Sequence, residues 1–141
     1  MILVDTNVIS EPLKPAPDPR VMAWIEAQDV ETLFLSAITV AELRFGVAAL
    51  PPGKRRSIYE DRIEHKVLPV FTGRVLPFDL EATPGYASLM ARAKASGRTI
   101  HKPDSYIAAT AAAHGLIVAT RDVTPFEAAG LHVINPWKAQ N

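Results

Sequence analysis

Four acidic residues occupy positions where a folded chain of this pattern would gather them. Asp5 and Asp122 each follow a short apolar run that is typical of a buried strand, whereas Glu42 and Asp104 fall near the start of helical segments. In a parallel sheet with right-handed crossovers, strand ends and the starts of the following helices share one edge. We therefore expect these acids to lie together.

Each acid also has a purely structural explanation. Asp5 and Asp122 could cap the turns that follow them. Glu42 could be one half of a capping box with Thr39, and Asp104 could be a favourable charge at a helix N-terminus. The complete set is harder to explain in this way, because gathered carboxylates repel one another unless a cation neutralises them or a proton is shared.

The ligand types available in the sequence favour a hard cation over a soft one. The chain has no cysteine, and its four histidines show no metal-ligand spacing. Carboxylate oxygens suit Mg²⁺ or Mn²⁺. An ion of this kind binds a phosphate oxygen, orients water and stabilises the charge of a phosphoryl displacement. The acids therefore predict metal-assisted attack of water on a phosphate ester.

The segments that would position the acids alternate between strands and helices. Apolar runs predict strands at 1–4, 32–35, 74–78, 116–119 and 132–134, and Pro77 indicates an edge position for the third. Helical patterns fall at 7–11, after Asp18-Pro19, and at 36–50, 54–66, 79–96, 103–114 and around Phe126. This alternation predicts an α/β fold, a three-layer α/β/α domain over residues 1–141 with a central, mainly parallel sheet.

Two local features leave alternatives open. Pro84-Gly85 requires the helix there either to begin at Pro84, with Thr83 as its cap, or to kink. Phe45 lies off the apolar stripe of its helix, so it faces either a partner or a second core contact. Trp24 and Trp137 are interpreted as packing residues.

Composition narrows the function classes. The 141 residues are 48% hydrophobic and 21% charged, which indicates a soluble globular protein. No apolar run reaches the ~20 residues that a membrane span needs, and Asp5 interrupts the N-terminal run, which argues against a signal peptide. The absence of cysteine suits a cytoplasmic protein. Basic clusters at 54–56 and 92–102, each considered alone, are interpreted as solvated helix faces.

Five short motifs carry a resemblance to a known family. They are DTNVIS at 5–10, ITVAELRFG at 38–46, PDSYIAATA at 103–111, ATRD at 119–122 and INPW at 134–137. Together, in this order and spacing, they resemble the PIN-domain ribonucleases. The similarity is greatest to the VapC-like toxins of bacterial toxin–antitoxin pairs, including the FitB-like branch.

The resemblance implies roles for individual residues. Asp5, Glu42, Asp104 and Asp122 correspond to the acidic cluster that holds Mg²⁺ or Mn²⁺ for hydrolysis of RNA phosphodiesters. Asp122 is followed by Pro125 where many relatives have Asn and then an acid three residues later, so the number of metal ions stays open.

Other residues would support these acids. Thr6 and Asn7 fall where small polar residues support the first acid, and Thr120 precedes the fourth. Arg44 and Arg121 neighbour acids in sequence and are candidates either for RNA phosphate contacts or for neutralising the carboxylates.

The resemblance also implies binding partners, and two other functions remain as alternatives. It implies a homodimer and a small antitoxin that blocks the acidic groove and itself carries the DNA-binding part. One rival is a catalytically silent PIN module that binds RNA or a protein partner. Another is an Asp-based phosphotransfer domain, but a dehalogenase would need a second Asp where Asn7 stands. A dinucleotide site is disfavoured because no glycine-rich turn follows the first strand.

Overall fold

The computed structural model describes residues 1–138. In this part of the chain the sheet contains β1 (Ile2–Val4), β2 (Leu33–Ser36), β3 (Val75–Leu76), β4 (Ile117–Ala119) and β5 (Val133–Ile134). The strands are all parallel and lie in the order β3-β2-β1-β4-β5. The five predicted strands are confirmed, and β3, which precedes Pro77, is an edge strand as predicted.

Helices connect these strands. They are α1 (Thr6–Ser10), α2 (Pro19–Ala27), α3 (Ala37–Ala48), α4 (Lys54–Arg62), α5 (Thr83–Ala95), α6 (Lys102–Ala113) and α7 (Val123–Ala128). A π-helical turn, Ile63–Val67, continues α4, and 3-10 turns cover Glu11–Leu13, Val30–Thr32, Leu68–Phe71 and Leu80–Ala82. None of the helices within residues 1–138 has the length and apolar character that crossing a membrane requires.

The central strand β1 shows why the fold has three layers. Successive side chains of a strand point to opposite faces of its sheet. Leu3 packs in one core with residues of α5, α6 and α7, whereas Ile2 and Val4 pack in another with residues of α1 and α2. Both faces of the sheet are therefore covered, which confirms the predicted α/β/α architecture and explains why β1 is apolar at every position.

The register of β1 against β4 brings two strand ends level. Ile2 pairs with Ile117 and Val4 with Ala119. The backbone N–H of Asp5 then donates to the carbonyl of Ala119 at 2.9 Å. The residues that follow both strands are consequently neighbours at one edge of the sheet.

The start of α3 differs from the prediction. The Ser36 hydroxyl accepts from the backbone N–H of Ile38 at 3.0 Å and caps the helix. The capping box of Thr39 and Glu42 is therefore wrong, because α3 begins directly after β2 and three residues earlier than that box requires. Thr39 lies inside the helix and is fully buried, and Glu42 lies in the second turn rather than the first.

The helix at Pro84-Gly85 begins one residue before the start at Pro84 that was one of the two predicted alternatives. α5 begins at Thr83 with Pro84 as its second residue, so Thr83 is the first helical residue and not the cap. A Cβ at Gly85 would stand 3.6 Å from the carbonyl of Ala109 and 3.7 Å from Cβ of Ala112. The glycine thus allows α5 to pack closely against the alanine-rich α6.

Candidate acidic active site

Asp5 is held by hydrogen bonds on both carboxylate oxygens. It directly follows β1 and is only 4% exposed. Its Oδ1 accepts from the backbone N–H of Thr6 at 2.8 Å, so Asp5 also caps α1. Its Oδ2 accepts from the Thr120 hydroxyl at 2.8 Å, with the Asn7 amide at a longer 3.5 Å. These contacts orient a buried carboxylate at the strand end.

Thr120 and Asn7 connect the ends of β1 and β4. The fully buried Thr120 hydroxyl accepts from the backbone N–H of Asp122 at 3.1 Å and from the Asn7 amide at 3.3 Å. The Asn7 Oδ1 in turn accepts from the backbone N–H of Arg121 at 3.1 Å. The segment that carries Asp122 is therefore positioned beside Asp5 by the polar residues predicted to support it.

Glu42 joins this network through Thr6. The Thr6 hydroxyl donates to Oε1 of Glu42 at 2.8 Å and contacts the Thr39 hydroxyl at 3.2 Å. Thr39 is thus a buried link between α1 and α3 that the sequence interpretation missed, because it was assigned to a cap. Its spacing from Glu42, three residues along a helix, places both side chains on one face.

The electrostatics place Asp104 at the same edge. Burial is the largest cause that raises the pKa of Asp104; together with the charges of Asp5, Asp122 and Glu42, and against an opposing effect of His101, it raises this pKa from 3.8 to about 6. Burial also raises the pKa of Asp5, hydrogen bonds from Thr120 and Thr6 oppose this, and Glu42 and Asp122 add to it. The structure therefore brings all four predicted acids into one coupled group.

This group, the acid quartet, suits a hard cation. The ion pairs of the described chain lie elsewhere, at Glu11, Asp18, Asp61 and Glu64. Among residues 1–138, no three acid, histidine or cysteine side chains stand close enough to hold one metal ion as they are placed. A cation here would be held by fewer carboxylates with water completing its coordination, as is common for Mg²⁺.

The two candidate arginines are engaged outside the quartet. Arg44 forms two hydrogen bonds with Glu64, at 2.8 and 3.1 Å. The guanidinium of Arg121 lies 5.1 Å from the ring centroid of Trp137, which is buried as predicted. The interpretation that Arg44 neutralises the quartet is therefore wrong, since its charge is balanced by an acid of the π-helical turn.

Replacing Thr120 with valine is expected to lower the free energy of unfolding by about 1–3 kcal/mol, since buried polar partners lose their hydrogen bond. The affected groups are Oδ2 of Asp5, the amide of Asn7 and the backbone N–H of Asp122. Thr120→Ser keeps the hydroxyl and serves as the control. Chemical denaturation measures both variants, and equal stability of valine and serine variants would show that the hydroxyl is not needed.

Comparison with known proteins decides the family. The family model described as "PIN domain" matches residues 2–130. The chain belongs to the PIN-domain family. The resemblance drawn from the five motifs is thereby confirmed, and a phosphotransfer domain is excluded.

Two curated relatives of this PIN domain match along nearly their whole length. "VapC ribonuclease Y4jK" of Sinorhizobium fredii is 67% identical over 138 residues, which is 98% of this chain and 99% of the relative. "Toxin FitB" of Neisseria gonorrhoeae is 53% identical over 137 residues, 97% of this chain and 99% of the relative. The PIN domain described here therefore belongs with the VapC and FitB proteins.

A solved structure shows the same fold. The crystal structure of FitAcB from Neisseria gonorrhoeae superposes with a TM-score of 0.95 at 52% identity, covering 99% of this chain and 100% of that one. Agreement at this level extends to the order and connection of the elements that carry the acid quartet.

Proposed function

We propose that this PIN domain is a Mg²⁺- or Mn²⁺-dependent endoribonuclease and the toxin of a toxin–antitoxin pair. The observation that carries the proposal is the gathering of four acids at one edge of the sheet, where the charges of Glu42 and Asp122 help to raise the pKa of the buried Asp5, and the charges of Asp5, Asp122 and Glu42 help to raise that of Asp104. Acids whose pKa values are perturbed by burial and by neighbouring charges cluster at functional sites. The names of the relatives, VapC ribonuclease and toxin FitB, support the same substrate and biological role.

The chain's own residues would act as follows. Asp5, Asp104 and Asp122 would hold the cation, with water between the cation and any of these carboxylates that does not reach it as placed, and Glu42 would hold it directly or through water. The cation supplies charge stabilisation at the phosphate and lowers the pKa of water. Hydrogen bonds from Thr6, Asn7 and Thr120 orient the carboxylate of Asp5, and the Thr120 hydroxyl also accepts from the backbone N–H of Asp122. Water is the nucleophile, and no serine or histidine nucleophile is required.

The proposed partner is a small antitoxin that covers the acidic edge in the cytoplasm. A groove of about 300 Å³ begins at Thr6 and Glu42 and continues over Leu43 and Val47 of α3. An apolar peptide face would fit these residues and close access to Glu42. A solved structure shows FitAB bound to a DNA fragment, which supports the proposal that the complex of this chain with its antitoxin binds DNA.

The deciding experiment is cleavage of a pool of structured RNAs in Mg²⁺, in Mn²⁺ and in EDTA. We expect internal cuts in either metal and none in EDTA. Cleavage that is equal in wild type and in Asp5→Asn would refute the metal-nuclease proposal. Binding without cleavage by the wild type would support the catalytically silent module instead.

Phe45 tests the proposed homodimer. Its side chain on α3 is 60% exposed and lines a groove of about 500 Å³ with Ile38, Pro103 and Tyr106. If a second copy covers this groove, Phe45→Asp should weaken the dimer by about 30-fold, as loss of a central aromatic contact does. Analytical ultracentrifugation measures the change.

The matched control for this test is Leu80→Asp, because Leu80 is 85% exposed and does not line that groove. An unchanged dimer dissociation constant in Phe45→Asp, or an equal increase of it in both variants, would show that the dimer interface does not include this groove.

A further inference from the structure

The first turn of α4 carries an arrangement of charge that does not help the helix. Lys54, Arg55 and Arg56 are its first three residues, and Gly53 before them provides no side-chain cap. A helix N-terminus already bears partial positive charge, so acids stabilise it and cations destabilise it. No residue of α4 is buried. Neither the charge of the helix N-terminus nor burial in the core therefore favours these cations, and they place three positive charges in one helical turn at the surface.

An aromatic ring stands directly beside these cations. The guanidinium carbon of Arg55 lies 5.7 Å from the ring centroid of Tyr59, and that of Arg62 lies 6.0 Å from it. Tyr59 is half-buried, and Arg62 is anchored because it donates to the carbonyl of Leu13. An aromatic ring on which a base can stack and cations that can bind phosphates are the two components of a single-stranded nucleic-acid site.

This surface is continuous with the acid quartet. The groove lined by Thr6 and Glu42 is also lined by Arg55 and Tyr59. A second groove of about 490 Å³ shares both of these residues and extends along α4 to Lys54 and Arg62. A chain lying in the first groove would therefore reach the basic turn from the acidic edge without leaving the surface.

Lys54 and Arg55 are available to a ligand. Lys14, which also lines the first groove, is paired with Glu11. Within residues 1–138, neither Lys54 nor Arg55 forms an ion pair with an acid. His65 pairs with Asp61, and Glu64 pairs with Arg44. Asp61 and Glu64 are thus already paired, whereas Lys54 and Arg55 are not paired with an acid.

We propose that the first turn of α4, with Tyr59, is an RNA subsite next to the acid quartet. It holds a single-stranded segment of the substrate, Lys54 and Arg55 contacting phosphates and Tyr59 stacking on one unpaired base. An unpaired base is required because a ring cannot stack on a base inside a duplex. This inference rests on the proposed ribonuclease function and adds the class of RNA that the groove accepts. The subsite positions the substrate and takes no part in bond cleavage.

The test measures RNA affinity separately from cleavage. The probe is a fluorescein-labelled single-stranded RNA 12-mer of mixed sequence, with the same sequence annealed to its complement as the duplex comparison. Binding is followed by anisotropy in the Asp5→Asn background, in Mg²⁺ and over a series of salt concentrations. The test variant is Lys54→Gln/Arg55→Gln. The matched control is Lys94→Gln/Arg98→Gln, which removes the same charge from exposed positions on and after α5.

We expect the α4 double variant to bind the single strand about 10-fold or more weakly than the control. Its slope of log K against log salt should be smaller by ~1.4, the value for two phosphate contacts on a single strand. Tyr59→Leu should weaken binding about 10-fold, whereas Tyr59→Phe, which keeps the ring, should bind as the parent does. The duplex should bind more weakly than the single strand, and Tyr59→Leu should not weaken its binding further.

Several outcomes would overturn the subsite. Equal affinity of the α4 variant and the α5 control would show only a general charge effect. If wild type cuts RNA in an Asp5-dependent manner while both α4 variants bind normally, the ribonuclease function stands and the subsite does not. Loss of affinity for a co-expressed antitoxin with unchanged RNA affinity would assign this surface to a protein. No RNA binding and no cleavage by wild type would refute the function and the subsite together.

Discussion

Replacing Asp5 with asparagine is expected to reduce RNA cleavage by ~10³-fold or more at saturating Mg²⁺. The substitution removes a charge that both carboxylate oxygens present at the end of β1. A catalytic cation contributes several kcal/mol of charge stabilisation in the transition state, and each 1.36 kcal/mol is about tenfold in rate. Single-turnover cleavage of a fixed RNA, with excess enzyme, measures this loss without a contribution from product release.

The same substitution is expected to change the free energy of unfolding by less than about 1 kcal/mol. Burial raises the pKa of Asp5, so the ionised carboxylate is costly in the fold and its removal is favourable. The amide oxygen still accepts from the N–H of Thr6, whereas the hydroxyl of Thr120 loses its acceptor. These effects oppose each other, so the loss of cleavage would not result from unfolding.

Asp79→Asn is the matched control for Asp5→Asn. Asp79 is exposed and makes no side-chain cap to the turn that follows it. The control should cut RNA at the wild-type rate. Cleavage by Asp5→Asn within a factor of about three of this control would contradict the assignment of Asp5 as a metal-holding residue.

Removal of the cation with EDTA is expected to abolish cleavage and to lower stability in a manner that depends on pH. In the metal-free protein the pKa of Asp104 is raised from 3.8 to about 6, and that of Asp5 is raised as well. Between these values the folded state binds more protons than the unfolded chain. The stabilisation that protonated Asp104 gives the metal-free protein therefore falls as pH rises through this window and is lost above about pH 6, and ionisation of Asp5 lowers the stability in the same direction.

Added Mg²⁺ should act in the opposite direction. Binding requires ionised carboxylates, so its stabilisation is small near pH 4 and grows as the acids lose their protons. At a concentration 100 times the dissociation constant, Mg²⁺ adds about 2.7 kcal/mol near neutral pH. Because Asp104 is half-exposed, the pH-dependent loss in EDTA should be only about 1 kcal/mol.

Thermal denaturation in EDTA and in Mg²⁺, at about pH 5 and about pH 7.5, measures both effects. Asp104→Asn should flatten the pH dependence in EDTA, since it removes the group with the raised pKa. A stabilisation by Mg²⁺ that is the same at both pH values, or no stabilisation at either, would contradict a metal site at the quartet.

Local sequence patterns were sufficient for the sheet and most of the helices. β1 is apolar at each of its positions because both faces of the central strand are covered. This apolar run was therefore enough to predict a buried strand. The edge position of β3 followed from Pro77, which cannot donate to a neighbouring strand. Patterns were insufficient at the start of α3, because Ser36 and Thr39 are both good caps and only the end of β2 selects between them.

Some features of the candidate site were likewise predictable from the sequence, and others were not. The types and spacing of Asp5, Glu42, Asp104 and Asp122 were enough to predict that one edge of a parallel sheet would gather them, and the charges of Glu42 and Asp122 contribute to the raised pKa values of both Asp5 and Asp104. The pairing of Arg44 with Glu64 was not predictable, since these residues are 20 positions apart and meet only when the π-helical turn after α4 approaches α3.

The sequence by itself predicted the α/β/α architecture, because apolar periodicity is a local property of the chain, and its five motifs were enough to indicate the family and the four candidate acids. Only the tertiary structure decided how the acids are held. Thr6, Thr39 and Thr120 bond to partners on other elements, and such contacts depend on the register of β1 against its neighbours. The tertiary structure also brought the basic turn of α4 to the groove that begins at Glu42. These contacts join residues that are far apart in the sequence. They result from the packing of separate elements and cannot be predicted from any one segment.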